Sequence, residues 1–261
     1  MNLKLLRVHT LGVILAVAAC AGQPSPAGAQ QSADLPQFVQ VDPHMKMTDL
    51  KGATPEDSTR AWALVETLRG ELDPYQDHER AMADGYQPFL PRVAGKETHF
   101  TNRRYAVLAS LAFEPGKPTS LLYERDGDDY RLVGAMFTAP ASVSVDELDE
   151  RVPLAFGQWH LHVNVCLPPR GRRRDLRDFA GPNARFGPAG SIATREECEA
   201  AGGRFKPSLF GWMLHVYPWE ETLDLVFQPP ANHREGHGQT AMMQGAGMEA
   251  GGGETDAHDH H

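Results

Sequence analysis

The sequence predicts an α+β fold, with N-terminal helices packed on a mainly antiparallel β-sheet. Helical periodicity is concentrated near residues 54–85, and strand-type alternation dominates from residue 121 onward. Residues 21–53 are rich in Gln, Pro, Ala and Ser, and residues 231–261 hold almost none of the large apolar residues that a core needs.

Thr54-Pro55-Glu56-Asp57 opens the first helix with a capping residue, proline at the first helical position and acids in the first turn. Ala61, Leu64, Val65 and Leu68 then form one apolar face, and Gly70 is expected to end the helix. A second helix is expected from Asp73-Pro74 to Gly85. Leu121–Glu124 and Tyr130–Phe137 flank Asp126-Gly127-Asp128-Asp129 and read as a β-hairpin. Ser144 to Glu147 and Thr194 to Glu197 are capping boxes for two short helices, the second carrying Cys198 and closing at Gly202-Gly203. Strands are expected at 158–166, 211–218 and 222–228, which places a single domain over 54–230.

Lys4 and Arg7 precede an apolar run, Leu11–Ala19, that is too short to span a bilayer as a helix. Residues 1–19 thus have the layout of a secretory signal. Val17-Ala18-Ala19-Cys20 resembles the bacterial lipobox, which implies cleavage before Cys20 and acyl chains on it as a membrane anchor. The alternative is ordinary cleavage near Ala29. Ala21, where inner-membrane retention is associated with aspartate, points to the outer membrane facing the periplasm. Residues 20–53 are expected to be a flexible tether, and 231–261 a disordered His/Met-rich tail.

Loss of residues 1–19, with Lys4 and Arg7, takes the formal charge from −9 to −11. That acidity argues against nucleic acid as a partner and suits a cation. With Cys20 lipidated, Cys166 and Cys198 remain as a pair. An oxidising compartment favours a disulfide worth roughly 3 kcal/mol, against two thiolate metal ligands.

Gln158 to Cys166 alternates strictly, so Trp159, Leu161, Val163 and Val165 face the core while His160, His162, Asn164 and Cys166 face the other way. Two imidazoles then stand about 7 Å apart along one side of a strand, a spacing from which both can lean toward a shared ion. In Trp212–Trp219 the same alternation puts Met213, His215 and Tyr217 on one face, and pairing with 158–166 would bring His215 in as a third ligand. His99 is a fourth candidate. Against this stands the bland reading, in which each histidine is a hydrogen-bonded core residue.

Trp159-His160-x-His162 with Cys166, Cys198-x-x-x-Gly202-Gly203 and Gly211-Trp212-Met213-Leu214-His215-Val216 resemble a family of uncharacterised exported bacterial proteins. Glu79–Tyr86, His99-Phe100-x-Asn102 and Leu122-Tyr123-Glu124 resemble the front half of related secreted proteins. The resemblance implies one recurring design for the His, Trp and Cys positions and brings no activity with it.

Auxiliary ligands are expected in His44-Met45-Lys46-Met47 and in the tail at His233 and His237, with Met213 beside the folded site, because thioethers select soft Cu(I) and imidazole binds Cu(II), Zn and Ni. Arg170, Arg172, Arg173, Arg174 and Arg177 read as a solvated loop balanced by Asp175 and Asp178. No phosphate-binding glycine motif or Gly-x-Ser-x-Gly elbow is present, and no catalytic residue stands out. The expected function is an envelope lipoprotein that binds a transition metal, copper first and zinc next, through His160, His162, His215 and His99. The alternatives are a metal-dependent enzyme built on the same histidines and a metal-free interaction protein.

Overall fold

The structure is a computed structural model that describes residues 38–89, 97–127, 129–170, 178–179 and 183–227. Eight strands among these residues form one sheet in which every neighbouring pair is antiparallel, as the sequence predicts. In chain order they are β1 (Phe38–Asp42), β2 (Met45–Thr48), β3 (Tyr86–Pro88), β4 (Glu97–Asn102), β5 (Ser120–Asp126), β6 (Asp129–Ala139), β7 (His160–Leu167) and β8 (Arg204–Val216). In space they run β1-β2-β7-β8-β6-β5-β4-β3.

The helices are α1 (Pro55–Leu72), α2 (His78–Ala83), α3 (Arg103–Leu108), α4 (Val145–Arg151), α5 (Arg195–Ala200) and α6 (Leu223–Phe227). Capping boxes at Thr54/Asp57, Ser144/Glu147 and Thr194/Glu197 start α1, α4 and α5. The apolar stripe of α1 continues to Leu72, so the helix passes through Gly70. Burying Leu68 and Leu72 completely outweighs the roughly 1 kcal/mol that glycine costs inside a helix. The expected second helix is divided: Asp73–Gln76 is a 3₁₀ turn, and the Asp77 side chain accepts the Glu79 N–H to start α2 afresh.

Two further expectations are corrected. Residues 38–48 lie in the sheet rather than in a tether, because the His44-Met45-Lys46-Met47 stretch pairs with the start of β7. Residues 222–228 were expected as a strand, yet Leu223–Phe227 is helical. Leu223, Val226 and Phe227 are the buried residues there, a helical spacing that competes with the apparent alternation of Leu223, Leu225 and Phe227. Cys20 and the tail residues His233 and His237 lie outside the described residues.

The main core fills one side of the sheet. Leu64, Val65 and Leu68 of α1 join a cluster that includes Trp159 just before β7, Leu161 of β7, Trp212 and Leu214 of β8, and Phe137 of β6. The opposite face carries a second cluster, Leu122, Val133, Met136, Met213 and Tyr217.

The sheet curls toward this second face. β4 and β8 are separated by β5 and β6, about 14 Å of flat sheet at ~4.8 Å per strand. Side chains stand roughly perpendicular to a sheet, yet the Tyr217 hydroxyl reaches Glu97 at 2.8 Å. Bulges supply the bend. The register shifts between Leu122 and Tyr123 on β5, and between Leu161 and His162 where Phe210 and Gly211 are inserted opposite in β8. Both inserted residues have positive φ, 68° and 77°. A Cβ at Gly211 would lie 2.3 Å from the Ala139 carbonyl oxygen, so only glycine fits there.

Candidate metal centre

The histidine face is assembled from three strands. β7 contributes His160 and His162, and β8 pairs with it so that Met213 stands opposite His160. Two residues further along β8 comes His215, whose partner on β6 is Met136. His99 enters from β4, opposite Leu122 of β5. Directly paired residues in antiparallel strands project from the same face, so these side chains share one concave surface.

The four imidazoles predicted from sequence come together there. Ring centroids are 5.3 Å apart for His99 and His215, 5.4 Å for His160 and His215, and 5.7 Å for His160 and His162. His99 also acts electrostatically on His162, which links the two ends of the series. Two imidazoles bound at ~2.0–2.1 Å to one tetrahedral ion have centroids about 5 Å apart, so the spacing matches a shared ion. The orientations do not form a finished coordination sphere. The rings meet edge to face at 73–82°, and among the described residues no three His, Cys, Asp or Glu groups stand as an assembled metal site. Ring rotation about χ2 is the adjustment that such a sphere would need.

His162 is the most deeply buried of the four, 6% exposed, and its Nδ1 is enclosed with no hydrogen-bond partner among the described residues. Burial is the main cause that pushes its pKa down to about 4; Asp42 opposes it, His44 acts both ways through its charge and its backbone hydrogen bond, and His99 adds to the depression. At neutral pH this ring is uncharged, the state in which imidazole ligates metals.

Methionines flank the histidines. On β2, Met45 lies opposite His162 and Met47 opposite His160. Thr48 holds this strand against β7: its N–H bonds to the Trp159 carbonyl, and its Oγ1 accepts the Trp159 N–H. His44, also expected near the site, occupies the turn between β1 and β2. Its ring is buried against the Gly190 carbonyl at 2.7 Å through Nε2, so that nitrogen anchors the turn.

Glu97 completes the arrangement. Its Oε1 lies 3.2 Å from His99 Nε2, and its Oε2 accepts the Tyr217 hydroxyl at 2.8 Å. The Glu97 side chain is only 5% exposed. The sequence analysis does not single out Glu97, although Glu-x-His on a strand puts both side chains on one face by the same rule that linked His160 and His162. Met136 was missed as well, because only strand order reveals that it faces His215.

Gly134 lets β8 close on the site. A Cβ there would fall 2.5 Å from the Val216 carbonyl oxygen and press on the Tyr217 ring and Leu122.

Cys166 and Cys198 form a disulfide with Cα atoms 5.6 Å apart. The bridge lies in a separate apolar cluster with Phe186 and Ile192. The cysteines are therefore bonded to each other, which decides between the two readings of the pair.

No protein family, no curated protein and no solved structure matches this chain.

Proposed function

We propose that the protein is a lipid-anchored envelope protein that binds a transition metal on this histidine face, copper in preference to zinc. The observation that carries the reading is the row of four imidazoles from three strands, each ring centroid 5.3–5.7 Å from the next. Copper is favoured because Met45, Met47, Met213 and Met136 stand cross-strand from the histidines, and thioethers discriminate for soft Cu(I). The ligands are His160, His162, His215 and His99, and the ion's contribution is its own affinity and redox chemistry. Binding is favoured over turnover because both oxygens of Glu97, the carboxylate beside the rings, are engaged by His99 and Tyr217.

The test is metal content and titration of the full chain and of a form lacking 231–261, each with and without His160→Ala plus His162→Ala. About one equivalent of copper that survives tail removal and disappears in the double variant is expected. If the tail-less protein takes up neither copper nor zinc, the reading fails.

A further inference from the structure

The Glu97 carboxylate is buried, is held by Tyr217 just beyond β8, and touches the ring of one proposed ligand. These facts assign it a specific task. A carboxylate accepts hydrogen bonds only, and Tyr217 already donates to Oε2 at 2.8 Å. At the other oxygen, 3.2 Å from His99 Nε2, the proton must therefore sit on the imidazole. In the neutral ring, the form in which imidazole ligates metals, a proton on Nε2 leaves the lone pair of His99 on Nδ1. We propose that Glu97, tethered by Tyr217, is a positioning residue that fixes His99 as the Nε2–H tautomer and leaves Nδ1 as the metal-binding nitrogen. The inference rests on the metal-binding reading and deepens it.

Metal-ligating histidines generally pass their second ring proton to a carboxylate or carbonyl, which sets the tautomer, orients the ring and raises its basicity. Here that partner comes from the ligand's own strand, two residues before it. The Tyr217 tether comes from the residue just after β8, two residues beyond His215. One hydrogen-bonded path thus spans the curl of the sheet, Tyr217 to Glu97 to His99, and links the two strands whose histidine rings approach to 5.3 Å. Glu97 on β4 and Tyr217 beside β8 serve the site without touching the ion.

The experiment uses the full chain with its tail histidines (His233, His237, His258, His260 and His261) replaced by alanine, so that only the folded site reports. Long-range 1H–15N NMR of the metal-free protein reads the His99 tautomer directly. The expected form is Nε2–H in the parent and a mixture in Glu97→Gln. A parent in the Nδ1–H form overturns the assignment whatever the metal data show. Cu(II) affinity by chelator competition is expected to fall roughly 10–100-fold in Glu97→Gln, with altered nitrogen hyperfine structure in the EPR spectrum. Tyr217→Phe, which keeps the carboxylate and removes only its tether, is expected to lose less. It carries the same test if Glu97→Gln does not fold.

A purely structural role would lower the metal-free melting temperature of the variants while leaving copper affinity and spectrum unchanged. That result overturns the positioning role and leaves the metal reading standing. No copper binding by the parent overturns both.

Discussion

His162 shows what a buried imidazole costs and what it can do. Its ring is almost fully enclosed, and desolvation depresses its pKa from 6.5 to about 4. The unfolded chain binds a proton near pH 6.5, whereas the folded chain resists until about pH 4, so acid favours unfolding. Stability is at its full value above pH 6.5 and falls progressively as pH drops through 4. A shift of this size corresponds to about 3 kcal/mol in total. Urea unfolding at pH 7.5 and 4.5 is expected to show this loss in the parent and a clearly smaller one in His162→Gln. Parallel pH dependences would sink the account. Glu97 makes the complementary point, because its position two residues before His99 was open to the same same-face argument as His160 and His162. What could not be read was Tyr217, which is more than a hundred residues away and meets Glu97 only through the curl.

Strand β8 is the element on which the site depends. It pairs with β7 on one side and β6 on the other, and its Phe210-Gly211 insertion shifts the register between them. The alternation of Trp212 to Tyr217 gave its two faces correctly from sequence. Its extent was not legible, since β8 begins at Arg204 and reaches His215 only after the bulge. Gly211→Ala puts a Cβ at 2.3 Å from the Ala139 carbonyl oxygen at φ +77. Left-handed strain and overpacking together are expected to cost about 2 kcal/mol or more. Gly52→Ala, which meets nothing within 4 Å, is the control and is expected to change stability by less than about 0.5 kcal/mol. Equal denaturation midpoints for the two variants would refute the bulge as a fixed feature. The α6 segment failed as a strand expectation for a related reason. Five residues with apolar groups at 223, 225, 226 and 227 satisfy either period, and burial of Val226 and Phe227 decides for the helix.

At the scale of the whole molecule, the two faces of the sheet do different work. One is closed by α1 and the main apolar cluster, and the other holds the histidines over a thin layer of Met136, Met213, Leu122 and Tyr217. The disulfide lies apart from both, joining the end of β7 to α5. It closes a loop of sequence separation 32, worth about 3.7 kcal/mol in the chain-entropy treatment. Reduction, or Cys166→Ser with Cys198→Ser, is expected to lower unfolding free energy by about that amount. Because neither sulfur belongs to the metal face, copper stoichiometry is expected to stay the same under conditions where the domain remains folded. Loss of copper with the fold intact would place the bridge closer to the site's function than its geometry does.

The sequence alone determined the α+β class, the capped start of α1, the two capping boxes at Ser144 and Thr194, the hairpin about Gly127 and the in–out alternation that put His160 with His162 and Met213 with His215. These are local properties, set by side-chain periods of 2 and 3.6 residues and by hydrogen bonds spanning three residues. Only the tertiary structure decided that His99 joins the other three, that residues 38–48 pair with β7, and that Glu97 meets Tyr217. Each of those contacts depends on strand order and sheet curvature, which arise from bulges, a close-approach glycine and packing between segments far apart in the chain, and no local pattern encodes them.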